Sequence, residues 1–237
     1  MKKIIALTLF FVLTIACQKK AKKEYYSNDD IETLDHIDTK KEILTTAKAI
    51  AIANGFNYWE KITEIKFTFN VDQDSTHYER SWQWKPKENE IILISNTDTI
   101  YYNRTQIDST SLAADQKFIN DTYWLLVPLN LIWDATSYTS QHEMKAIAPI
   151  SNTEMQKLTI VYKNEGGYTP GDAYDFYFEG DFKIKEWVFR KKNNKEPSLI
   201  TQWNDHEIFD GIRIAKTHYR NEGNWKLYFT DIQTITE

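Results

Sequence analysis

Polar and apolar positions alternate with a period of two over much of this chain, the signature of half-buried β-strands. Ile65, Phe67, Phe69 and Val71 alternate with Glu64, Lys66, Thr68 and Asn70. Tyr78, Arg80, Trp82 and Trp84 share one side of the next segment. Glu90–Ser95 and Thr99–Asn103 flank a turn at Asn96-Thr97-Asp98. The connections are too short for crossovers, so these four strands should form an antiparallel meander. Lys157–Tyr162, Leu199–Trp203, Ile212–Tyr219 and Trp225–Ile235 continue the series, with turns at Lys191–Pro197, Asp205–Gly211 and Asn221–Asn224.

The strongest hairpin signal is Gly171–Arg190, two aromatic-rich strands joined at Gly180-Asp181. Glycine takes positive φ without a Cβ clash, so a tight primed turn is expected there. Parity places Tyr174, Phe176 and Phe178 on one face and Asp175, Tyr177 and Glu179 on the other. On the return, Phe182, Ile184 and Val188 should share a face, with Trp187 and Phe189 opposite. Both faces carry bulk, as in a sheet covered by another layer.

Two stretches break the alternation. Thr39-Lys40-Lys41-Glu42 is a capping box, predicting a helix to about Asn54 with Gly55 as its left-handed stop. Ile43, Leu44, Ala47, Ile50 and Ala51 form its apolar stripe. Between Ser111 and Pro149, Leu112–Asn120 is weakly helical, and Asp121 can cap a short helix that Pro128 interrupts. Asp121–Trp133 holds the longest apolar run after the leader, read as a helical segment in the core, as a lid over an apolar cavity or as a membrane-dipping segment. Gln141–Ile150 fits either helix or strand.

The 237 residues suffice for one good-sized core, and no composition break divides them. Eight Trp and an aromatic share of 14% favour sheet over helical bundle. The expectation is a mainly β (α+β) fold, a single open antiparallel half-barrel whose concave face is covered by an N-terminal helix and a helical insert. Net charge is −5, and removal of Lys2 and Lys3 with a leader takes it to −7. That balance argues against a nucleic-acid partner, which requires clustered cations.

Met1–Ala16 has a basic start and an apolar run too short for an ordinary membrane span, which reads as a signal peptide. The single cysteine, Cys17, stands at its boundary. Thr14-Ile15-Ala16-Cys17 resembles the lipobox of bacterial lipoproteins, although Thr14 holds the place where Leu is usual. That resemblance implies a lipidated Cys17 anchored in a membrane. Residues 17–37, with Lys19, Lys20, Lys22 and Lys23, would be a polar tether, and 38–237 the folded domain. The only cysteine leaves no intrachain disulfide.

The leader with Cys17, Asp121–Asp134, Gly166–Lys191 and Pro197–Ala215 resemble a family of Gram-negative outer-membrane lipoproteins to which no activity is attached. The order of helix, meander, helical insert and further strands is similar to the lipoprotein carriers LolA and LolB. Those resemblances imply an open half-barrel with an apolar cavity for acyl chains, held at the outer membrane on its periplasmic side.

No catalytic motif is evident. G-x-S-x-G, H-E-x-x-H, P-loop and G-x-G-x-x-G patterns are missing. Asp175 and Glu179 lie on one strand face about 13 Å apart, too far for a glycosidase pair at about 5–9.5 Å. Asp205-His206-Glu207 alternates faces. Asp172 and Asp181 add acids near the hairpin without a calcium-loop spacing. No metal site, no cofactor and no catalytic residue is therefore assigned, and the chain reads as a binding protein more readily than as an enzyme. Candidate ligand-lining residues are Trp82, Trp84, Trp124, Trp133, Tyr174, Phe176, Trp187 and Trp203. The ligand would be an acyl chain or other apolar molecule. Alternatives are a structural or interaction lipoprotein with a solid core, and a small-molecule or glycan hydrolase using Asp175, Glu179 or His206. The volume between the sheet and Ser111–Pro149 separates them.

Overall fold

A computed structural model describes residues 44–165 and 168–237. The leader, Cys17, the tether and the Thr39 capping box lie outside the described residues. Helix α1 (Thr46–Ala53) is instead capped by Thr45, whose hydroxyl accepts from the Lys48 amide at 3.2 Å. Ala47, Ile50 and Ala51 are buried as the stripe predicts, but Leu44 precedes the helix and is exposed.

Among the described residues, eleven antiparallel strands form one open curved sheet. The first meander is β1 (Ile62–Gln73), β2 (Thr76–Lys85), β3 (Glu90–Ile94) and β4 (Thr99–Asn103). Helix α2 (Leu112–Trp133) follows. The second meander is β5 (Tyr138–Ile147), β6 (Glu154–Tyr162), β7 (Ala173–Phe178), β8 (Ile184–Arg190), β9 (Leu199–Phe209), β10 (Ile212–Tyr219) and β11 (Lys226–Thr236). Strand β11 pairs with β1, which fuses the two meanders and leaves β4 and β5 as edges.

Helix α2 therefore links the two edges of one sheet. Its 22 residues reach about 33 Å at 1.5 Å per residue. Eleven strands laid flat would cover about 48 Å, and curling shortens that distance. Residues from α1, α2 and both meanders pack into one apolar cluster on the inner face, among them Ile50, Phe67, Phe118, Leu125, Phe176 and Phe229.

Three expectations need correction, and one open segment resolves as strand. Helix α2 runs through Asp121, which is an interior residue and not a cap, and the expected interruption at Pro128 is a kink and not an end. Pro128 has no N–H for the Trp124 carbonyl, and the strain appears as a kink at Leu126 (φ −128°, ψ 23°). Gln141–Ile150 supplies most of β5, an edge strand exposed on most positions, which is why it carries no clear period. The Gly180 turn is not a primed two-residue turn. Gly180 does not take positive φ, and Phe182 does (φ 56°), with its amide donating to the Glu179 carbonyl at 3.0 Å. A bulge at Lys185 then pairs Tyr177 with Glu186 and Phe178 with Ile184. The extra residue inverts parity, so Ile184 joins Trp187 inside, while Val188 packs with Tyr177 and Ala148 in a separate cluster.

Two close approaches fix α1 to the sheet. Gly55 follows α1 at φ +98°, and a Cβ there would lie 2.1 Å from the Gly211 carbonyl oxygen. A Cβ on Gly211 would lie 2.4 Å from the Tyr58 ring. The buried Asn54 amide donates to the Phe182 carbonyl at 3.0 Å, tying α1 to the β7–β8 turn.

Candidate functional site: an aromatic crevice along helix α2

Between α2 and the inner face of the sheet lies a crevice of about 1050 Å³, partly open to solvent. Ile119, Tyr123 and Trp124 border it from α2. Phe69, Tyr174, Trp187, Phe189, Leu199 and Leu227 border it from the sheet. These residues face it because β1, β8, β9 and β11 present their odd positions, and β7 its even ones, inward to α2.

The structure divides the eight residues singled out from the sequence. Trp84, Trp124, Trp133, Tyr174 and Trp187 border the crevice. Trp82, Phe176 and Trp203 are buried in the packed layer behind it. Trp124 is the hub, with ring centroids 4.2 Å from Trp187, 5.1 Å from His218 and 6.2 Å from Trp203. Trp59, Trp84 and Trp133 form a second group towards the end of α2, with Trp59 centroids 5.2 and 4.9 Å from the other two.

Two buried aspartates hold α2 in place; Asp115 was not singled out from the sequence, and Asp121 only as a helix cap. Asp121, fully buried, receives the Arg80 guanidinium on both oxygens at 2.5 Å and the Trp82 indole N–H at 2.8 Å. Asp115, also fully buried, accepts from Arg104 at 2.8 Å, Tyr102 at 3.3 Å and Tyr168 at 2.9 Å. Tyr168 belongs to the β6–β7 connection, so that loop is strapped to the start of α2. The signal was present. Asp115, Phe118, Thr122, Leu125 and Leu129 share a helical face, and an acid within an apolar stripe calls for a buried partner.

The polar groups at the rim are hydroxyls more than bases. The Tyr162 hydroxyl donates to Asp134 at 2.8 Å and lies 3.3 Å from the Tyr123 hydroxyl, whose proton it can accept. Burial pushes the Tyr123, Tyr162 and Tyr174 phenols well above their usual range, and Tyr138 up to about 12. Burial also raises the Asp134 carboxyl, which its Tyr162 hydrogen bond opposes.

The groups weighed for hydrolysis have separate partners. Asp175, on the outer face, accepts from Thr159 at 2.6 Å and from Arg190. Glu179 faces Lys185 at 3.7 Å. His206 is held neutral by burial and by the nearby cations Lys185, Arg213 and Lys183. Asp205 accepts from Thr217, and Glu207 pairs with Lys216 at 2.6 Å. Asp172 accepts the Lys192 amide at 2.7 Å, and Asp181 pairs with Lys183 at 2.9 Å. Among the described residues no hydrogen bond or ion pair joins Asp175, Glu179 and His206, and no three His, Cys, Asp or Glu side chains are grouped to hold a metal ion. No described helix is long and apolar enough to cross a membrane.

No family model matches the chain, and no curated protein sequence matches it. Among solved structures it is similar to a LolA superfamily protein from Nitrosomonas europaea, at 11% identity and TM-score 0.47 over 81% of this chain and 95% of that one. It is similar to a DUF1329 family protein from Desulfovibrio piger, at 9% identity and TM-score 0.45 over 78% and 91%. A Vibrio parahaemolyticus domain described as an outer membrane lipoprotein-sorting protein gives 7% identity and TM-score 0.44 over 80% and 93%. What the crevice can bind is decided by this chain's own residues.

Proposed function

We propose that this chain is a non-catalytic binding protein whose crevice takes an apolar ligand, an acyl chain or similar lipid. Lipidated Cys17 would hold it at the outer membrane with its body on the periplasmic side. The observation that carries this reading is the void of about 1050 Å³, bordered mainly by aromatic and aliphatic side chains, with Arg104, Asp134, Lys163 and Glu165 among the polar residues on its border. Ligand pockets run to about 300–1,000 Å³ with mostly apolar walls and few polar groups. A structural lipoprotein with a solid core has no use for such a space. Against the hydrolase reading, Asp175 and Glu179 are each engaged with other neighbours, and no hydrogen bond or ion pair among the described residues joins either to His206.

The test is to purify residues 18–237 without detergent, extract and identify bound lipid by mass spectrometry, and titrate a fluorescent fatty acid. Co-purified lipid or saturable binding is expected, and absence of both sinks the reading. For the anchor, Cys17→Ser should move the full chain from the membrane fraction to the soluble one.

A further inference from the structure

Directly beneath Trp124, the inner face of β8, β9 and β10 carries four adjoining polar-tipped residues. Trp187 pairs across strands with Thr201, and Trp203 with His218. All four are buried, Thr201 and His218 completely. The indole nitrogens of Trp187 and Trp203, the Thr201 hydroxyl and both His218 ring nitrogens have no hydrogen-bond partner. One His218 nitrogen faces the Ala215 carbonyl without forming a proper hydrogen bond. Buried polar groups are nearly always paired, and each one left unmade carries a penalty. Of the four, Trp187 borders the void together with Trp124, while Thr201, Trp203 and His218 lie in the layer behind it; a cluster of unpaired donors just past a void is what a ligand entering beside Trp124 would meet.

The donor set defines the chemistry. An indole N–H only donates, a threonine hydroxyl donates or accepts, and a neutral imidazole offers one donor. Within the patch itself no lysine or arginine is present to balance an anion, and a bare carboxylate in an apolar interior is strongly disfavoured. We propose that Trp187, Trp203, Thr201 and His218 form a hydrogen-bonding subsite for an uncharged carbonyl oxygen, the ester or amide of an acylated ligand whose chain lies along the crevice. The inference rests on the crevice being a lipid site and adds which part of the lipid is read.

The experiment compares methyl octanoate with undecane, which have equal heavy-atom counts. Binding to residues 18–237 is followed by displacement of a fluorescent fatty acid and by ¹⁵N spectra of the indole N–H groups. The quantity read is the ester-to-hydrocarbon affinity ratio, in the wild type and in Trp203→Phe, Thr201→Val and His218→Phe. Each variant keeps an apolar group of comparable shape. The ratio is expected to fall about tenfold in the variants that remove a donor, and the Trp187 and Trp203 indole resonances should shift with ester and not with hydrocarbon. Both ligands binding with an unchanged ratio and unmoved indole signals overturns the subsite and leaves the apolar crevice standing. Neither ligand binding overturns both. Should one variant fail to fold, the indole shifts in the wild type decide.

Discussion

Arg80 and Asp121 form a two-pronged ion pair, both N···O distances 2.5 Å, between strand β2 and the middle of α2. Tyr78 and Phe69 shield the guanidinium, its carbon 5.1 and 4.9 Å from their ring centroids. The pair is the main polar tie between the sheet and the helix that closes over it. Removing one partner leaves the other charge buried and alone. Asp121→Asn should destabilise the fold by about 3–5 kcal/mol, whereas Arg80→Met with Asp121→Leu should recover most of that loss. Urea unfolding of the three proteins checks it. Equal stability of D121N and wild type would show that the pair holds nothing.

His218 makes stability acid-sensitive. Burial among Trp124, Trp203 and Phe229 lowers its pKa to about 3, while an unfolded histidine titrates near 6.5. Below about pH 6.5 the unfolded chain binds a proton that the folded one refuses, so stability drops as pH falls, until the folded group itself titrates. Between pH 7 and 5 this group accounts for about 2 kcal/mol. His218→Phe should flatten the pH profile by that amount in denaturant titrations. An unchanged slope would place the acid sensitivity elsewhere.

Three glycines separate backbone strain from crowding. Gly55 has positive φ and no room for a Cβ, Gly223 has positive φ (79°) and open space, and Gly180 has open space and no positive φ. Gly223→Ala should cost about 1 kcal/mol from φ alone. Gly55→Ala should cost clearly more, because the Gly211 carbonyl must also move. Gly180→Ala should stay within about 0.5 kcal/mol of wild type. Thermal melts rank the three, and any other order refutes the close approach.

Glu186 sits on the outer face of β8, buried, and accepts the Ile150 and Ser151 amides at 2.7 and 2.8 Å. It pins the β5–β6 turn to a strand that is not its neighbour. Glu186→Ala should cost about 1.5–3 kcal/mol, the range for hydrogen bonds to a charged group. Hydrogen exchange at Ile150 and Ser151 should quicken far more than in the central strands. Uniform quickening would mean global loss instead.

Much of this architecture is written locally. Alternation in Ile65–Val71 and Tyr174–Phe178 assigns faces because a strand's side chains have a period of two. The Ala47, Ile50 and Ala51 spacing does the same for α1. An apolar cavity was expected from the resemblance in layout, but which of the eight aromatic residues border it was not legible, since they read alike whether they fill a core or border a space.

What local pattern could not decide were events that need a distant partner. The bulge at Lys185 inverts the face of Ile184, and it is visible only when β7 and β8 are laid in register. Asp121 has the chemistry of a cap, and becomes an interior ion partner because Arg80, 41 positions earlier, meets it across the fold. The union of β1 with β11 joins segments more than 150 residues apart. Period and composition act through neighbours in the chain, so they determined strands, helix faces and the aromatic wealth of this protein. Which rings touch, which stand back to leave space, and which buried donors go unpartnered were decided by packing, where contacts form between residues that the chain order keeps apart.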